Sequence, residues 1–143
     1  MTKLSLLLAL GLAGASAADY FGASASFVPA GRPGSDASVT VTFSQRDPEV
    51  RMNEDPAPRL KLDPEQTVLV DKQAPAKRTA PVDLAKAKYL DTALPVAFPV
   101  ALHPQAPRGS HTVQATVVYF YCSKRDGWCR KGSSLISIPV VVP

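Results

Sequence analysis

The sequence predicts an all-β protein, an immunoglobulin-like antiparallel β-sandwich. Three observations carry this expectation. Seven or so short runs rich in β-branched and aromatic residues follow one another closely, their connections are dense in proline and glycine, and no stretch is periodic enough for a stable helix. No internal repeat is found.

The first segment reads as a leader. Lys3 supplies a positive start, Leu4 to Leu12 a short apolar run, and Ala15-Ser16-Ala17 a small-residue cleavage site. Residues 1–17 are therefore expected to be a signal peptide and 18–143 a single domain, 126 of the 143 residues. The apolar run is too short to span a bilayer, so the mature chain is expected to be a periplasmic or secreted monomer with no membrane anchor. Without Lys3 the 16 basic residues fall to 15 against 12 acidic ones, about +3 net. That charge is scattered, which argues against nucleic acid as a partner.

Ser24 to Val28 is the first expected strand, and Pro29 to Gly34 turns the chain. Val39, Val41 and Phe43 alternate with Thr40, Thr42 and Ser44, a strand with one buried face. Gln45 to Pro58 is polar and punctuated by proline, so an exposed loop crossing between sheets is expected, with Glu54 and Asp55 facing solvent. Arg59 to Leu62 and Thr67 to Val70 are short strands, Asp71 to Pro81 is a loop, and Val82 to Leu90 is too short for more than a single helical turn. Leu94, Val96, Phe98 and Val100 share one face of the next strand. Pro95 and Pro99 argue for an edge position there.

The chain is organised around its last strand pair. Thr112 to Cys122 is free of glycine and proline and is the strongest strand in the sequence, with burial expected on both faces near Cys122. Leu135 to Val142 returns with Ile136, Ile138, Val140 and Val142 on one face, and Pro139 marks a strand with a free flank. A two-residue turn on Asp126-Gly127 would leave Cys122 and Cys129 diagonal, about 7–8 Å apart and beyond the usual disulfide span of roughly 4.4–6.8 Å. A four-residue loop, Lys124 to Gly127, places the two cysteines directly opposite each other and Ser123 opposite Trp128, with Gly127 as the left-handed residue.

These are the only two cysteines, and in an oxidising compartment they can persist as a disulfide. Lys124, Arg125, Arg130 and Lys131 surround the pair against Asp126 alone, a field that favours thiolate. A redox-exchanging pair and a plain structural staple both fit. Tyr119, Phe120, Tyr121 and Trp128 flank the cysteines either as core packing or as a platform for a partner. His103 and His111 lie outside any metal-ligand spacing, and no cofactor is expected. Nucleophile-elbow, phosphate-loop and paired-carboxylate patterns do not stand out.

The strand Leu94-Pro-Val-Ala-Phe-Pro-Val100, the Arg108-Gly-Ser-His111 turn, the strand end Val117-Val-Tyr-Phe-Tyr-Cys122, Cys129 and the closing Ile136 to Val142 occur in an order with a known counterpart. It resembles the periplasmic N-terminal domain of the thiol:disulfide interchange protein DsbD and its stand-alone relatives, over roughly residues 50–142. The resemblance implies an immunoglobulin-like sandwich whose cysteine pair takes electrons from a membrane electron donor and passes them to a thioredoxin-fold protein. Carried over, Cys122 and Cys129 are the catalytic pair of a thiol:disulfide oxidoreductase or electron-transfer domain, with Tyr121, Trp128, Lys124, Arg125, Arg130 and Lys131 flanking it. The alternative is a non-catalytic secreted binding module with a structural disulfide.

Overall fold

A computed structural model describes residues 16–31, 36–76 and 82–143. Eight strands form two packed antiparallel sheets: β1 (Phe21–Val28), β2 (Ala37–Gln45), β3 (Val50–Met52), β4 (Arg59–Leu62), β5 (Leu69–Asp71), β6 (Val96–Leu102), β7 (Gly109–Ser123) and β8 (Trp128–Val142). The first sheet runs β1-β2-β6-β5. In the second, β7 is central, with β8 on one flank and β3 and β4 on the other. Taken as two halves of one interrupted strand, β3 and β4 complete the two strand orders of a constant-type immunoglobulin domain. The expected fold class is therefore the observed one. Of the expected signal peptide, residues 1–15 lie outside the described region; Ala17 begins a single helical turn, α1 (Ala17–Tyr20), and is buried. Among the described residues no helix is long and apolar enough to cross a membrane.

The core follows from strand alternation. Val39, Val41 and Phe43 of β2, Phe98 and Val100 of β6, Val113, Val117 and Tyr119 of β7 and Ile138 of β8 are buried between the sheets, and Val96 packs against them half-buried. Phe43 and Phe21 both meet the Tyr119 ring edge-on, at 5.6 and 5.5 Å between centroids. Tyr119 keeps its hydroxyl satisfied at 2.7 Å from Ser134 Oγ.

Three expectations are corrected. The first strand begins at Phe21, not Ser24. Gly22 and Ala23 weaken its sequence signal, but Gly22 fits because a β-carbon there would collide with the Ser44 side chain. Gln45 to Pro58 is not one exposed loop: Val50 and Met52 are fully buried, and β3 pairs with the cysteine end of β7. Its single alternation, Val50-Arg51-Met52, is hidden among polar residues and prolines.

Nor is β6 an edge strand, since it lies between β2 and β5. A residue's N–H and C=O leave a strand on the same flank. Pro99 accepts from Lys72 N at 3.1 Å on the β5 side and has no N–H to return, so the ladder ends there, with Asp71 opposite Val100 as its last registered pair. The proline is accommodated because β5 stops beside it. The short strand expected at Thr67 to Val70 is this β5, shifted to Leu69–Asp71, and the single turn expected within 82–90 is a 3-10 turn at Leu84–Lys86, capped by Asp83.

Candidate functional site

The β7–β8 hairpin has the register expected from the cysteines. Cys122 is opposite Cys129 and Ser123 opposite Trp128, and Gly127, at φ 71°, closes the loop by donating to Ser123 O at 2.9 Å. Positive φ suits glycine because no β-carbon is present to clash. The cysteines form a disulfide with their Cα atoms 4.0 Å apart, directly across the ladder.

The tip is held along its β7 arm and within its loop. β3 pairs with its β7 arm through Val50 to Ser123, Arg51 to Cys122 and Met52 to Tyr121. Asp126 N donates to Ser123 Oγ at 3.1 Å, and Lys124 N donates to Glu49 O. Arg125 reaches Asp47 at 3.0 Å and Asp126 at 3.7 Å. The Glu49 N–H on its carboxylate, and then Arg125, hold Asp47 below the usual range; Asp47 and Asp126 in turn raise the Arg125 guanidinium.

Opposed residues on neighbouring strands share a face. Tyr121, Arg130, Ser123 and Trp128 therefore lie on the inward face, and Phe120, Lys131 and the two cysteines on the outward one. On the inward side Trp128 meets Tyr121 edge-on at 5.7 Å and Tyr20 at 5.7 Å, which continues the ring contacts from Phe43 out to the tip. The flanking aromatics are thus mainly packing. Burial raises the Tyr121 hydroxyl above its ordinary value, opposed by the Arg130 charge.

The four cations are not equivalent. Arg125 is engaged by carboxylates, and Arg130 lies over the Trp128 ring, 4.0 Å from its centroid, on the face away from the sulfurs. Lys131 sits over Phe120 on the disulfide's own face, and Lys124 over Tyr89 beside it, at 5.9 and 5.3 Å. Of the four, Lys131 is thus the one that strand register places on the sulfurs' face, with Lys124 beside it. His103 and His111 are engaged locally in the β6–β7 turn, accepting from Gln105 N and donating to Pro107 O.

The two cysteines differ in burial. Cys129 is partly exposed, whereas Cys122 is 0 % exposed, sealed by β3 and the residues that follow it. No protein-family model, curated protein or solved structure matches this chain.

Sequence reasoning missed Asn53. It too is 0 % exposed, fixed by its N–H to Phe120 O at 2.8 Å and by a bridge to Tyr89. Its Oδ1 lies 3.3 Å from Cys122 Sγ. A disulfide sulfur carries no hydrogen, so this is a contact between two acceptors and not a hydrogen bond. Tyr89 was missed as well, and its hydroxyl is buried without a hydrogen-bond partner among the described residues. Only the alternation of Val50 and Met52 could have drawn Asn53 into a strand beside the cysteines.

Proposed function

We propose that this domain exchanges its Cys122–Cys129 disulfide with the dithiol of a thioredoxin-fold protein, as its resemblance to the DsbD N-terminal domain implies, in a periplasmic or secreted setting. The observation that carries the reading is the unequal burial of the two cysteines at the hairpin tip, which supports attack at Cys129. An attacking thiolate reaches Cys129 and not Cys122, so exchange has a defined order.

The partner's thiolate attacks Cys129 Sγ. A new disulfide forms between the partner and Cys129, the Cys122–Cys129 bond breaks, and its electron pair leaves on Cys122 Sγ, which takes up a proton. The partner's second thiolate then attacks the partner's own sulfur in the mixed disulfide and releases Cys129 as a thiolate, which is protonated. Two electrons and two protons have passed from the partner's dithiol to this chain, and the reverse sequence returns them. Lys131, on the same face as the sulfurs, favours the thiolate forms.

The complete burial of Cys122 equally suits a structural staple in a non-catalytic binding module. Single-cysteine variants separate the readings. Cys122→Ala retains the accessible cysteine as a thiol, and its thiolate should displace thionitrobenzoate from a thioredoxin-fold protein whose single remaining active-site cysteine carries that group as a mixed disulfide, leaving the two proteins joined; Cys129→Ala should be joined little. Failure of both variants while folded would leave the staple reading standing.

A further inference from the structure

Reduction changes what Asn53 has to bond with. Among the described residues Asn53 Nδ2 is buried with no hydrogen-bond partner, and Oδ1 faces a sulfur with no hydrogen to donate. In the oxidised protein both ends of this amide are therefore unsatisfied, at a position sealed from water. Breaking the disulfide creates at Cys122 a thiol, which can donate to Oδ1 where the amide stands. That bond does not exist while the two sulfurs are joined.

We propose that Asn53 is the residue that receives the Cys122 sulfur when exchange releases it, and that it biases the cysteine pair toward the reduced state. The inference rests on the exchange reading above. It deepens that reading by assigning direction within the pair: Cys129 is the sulfur that is attacked and Cys122 the sulfur that leaves. Backbone bonds hold Asn53 to Phe120, and its neighbour Glu54 to Lys88, and so anchor the residue beside Cys122 independently of the disulfide. Its rigid placement matters, because a buried polar group costs most where it has no partner and cannot move to find one. The oxidised state carries that cost at Oδ1, and the Cys122 thiol of the reduced state relieves it there.

The test is a redox equilibrium. Purified wild type and Asn53→Leu, which keeps a similar volume without donor or acceptor, are equilibrated against glutathione buffers, acid-quenched and alkylated to count thiols. Asn53→Leu should shift the equilibrium about tenfold toward the disulfide, equivalent to about 30 mV for this two-electron couple. It should also slow the release of Cys122 from a Cys129 attack by reduced thioredoxin. A shift below twofold with both proteins folded would overturn the role of Asn53. Resistance of the wild type itself to both reductants would instead overturn the exchange reading, so the two failures are distinguishable. Should Asn53→Leu not fold, the S–H stretching band of the reduced wild type decides. A band lowered by hydrogen bonding, assigned to Cys122 by its loss in Cys122→Ala, supports the proposal; a free-thiol band at Cys122 contradicts it.

Discussion

Cutting the disulfide is expected to weaken the domain without unfolding it. The bridge closes an eight-residue loop, Cys122 to Cys129, at a sequence separation of 7. For a loop that short the chain-entropy estimate is about 2.5 kcal/mol. Everything else that orders the hairpin survives the cut. β7 and β8 are fifteen-residue strands in register over their whole length, and the inward rings from Phe43 to Trp128 do not involve sulfur. A domain typically has about 5–15 kcal/mol of stability, so the reduced form should remain folded. In urea, with a slope of about 1.5 kcal/mol/M, the midpoint should fall by about 1.7 M. The thermal midpoint should fall by about 8–12 °C for a chain of this size. Matched urea titrations of the oxidised protein and of the protein held in excess reductant, followed by circular dichroism, measure this directly. A reduced protein that is already unfolded without urea would show that the bridge holds the sandwich together. That result would refute the reasoning, because a carrier has to be folded in both states.

Three further outcomes are expected. Lys131→Gln should slow alkylation of the reduced protein at neutral pH several-fold, because a cation on the sulfurs' face no longer favours thiolate, whereas Arg130→Gln, which acts over Trp128 on the other face, should change it little. Phe43→Ala or Phe98→Ala should each cost about 3–5 kcal/mol by urea unfolding, since both side chains lie in the closed core. Tyr119 and Tyr121 are raised above their ordinary value of 10.0, chiefly by burial. The unfolded chain therefore loses these protons first, and stability should be unaffected by them below about pH 10 and fall as pH rises beyond it. Absorbance at alkaline pH should then show their ionisation coinciding with unfolding; ionisation in a folded protein at the ordinary value would contradict the burial.

The architecture was legible where a physical constraint acts locally. Val39, Val41 and Phe43 declare a one-sided strand, and two cysteines that must meet decide between two possible loops, which is why the hairpin register follows from the spacing of Cys122 and Cys129. β3 was hidden because its burial comes from β7 and not from its own neighbours, Asp47, Pro48, Glu49, Glu54 and Asp55. The position of β6 was misread because Pro99 speaks only for one flank at one residue, while the chain satisfies it by ending β5 alongside. Other contacts lie beyond any pattern in the sequence. Gln73, in a stretch that reads as loop, pairs its side-chain amide with both the N–H and the C=O of Leu60 at 3.0 and 2.8 Å, closing the outer edge of β4 as another strand would. The site divides the same way. Its cysteines and flanking cations are visible as a cluster, but which cations face the sulfurs follows from strand faces, and Asn53 reaches Cys122 across 69 residues of chain.

The measurement that bears most directly on exchange is the reduction potential of the Cys122–Cys129 pair, obtained by equilibration with glutathione and then with a thioredoxin-fold protein of known potential. Structural disulfides lie below about −300 mV, and exchanging ones are higher. The account predicts a value above that boundary, with electrons passing reversibly between this domain and the thioredoxin-fold protein. A value below it, with the oxidised protein inert to both reductants, would contradict the account.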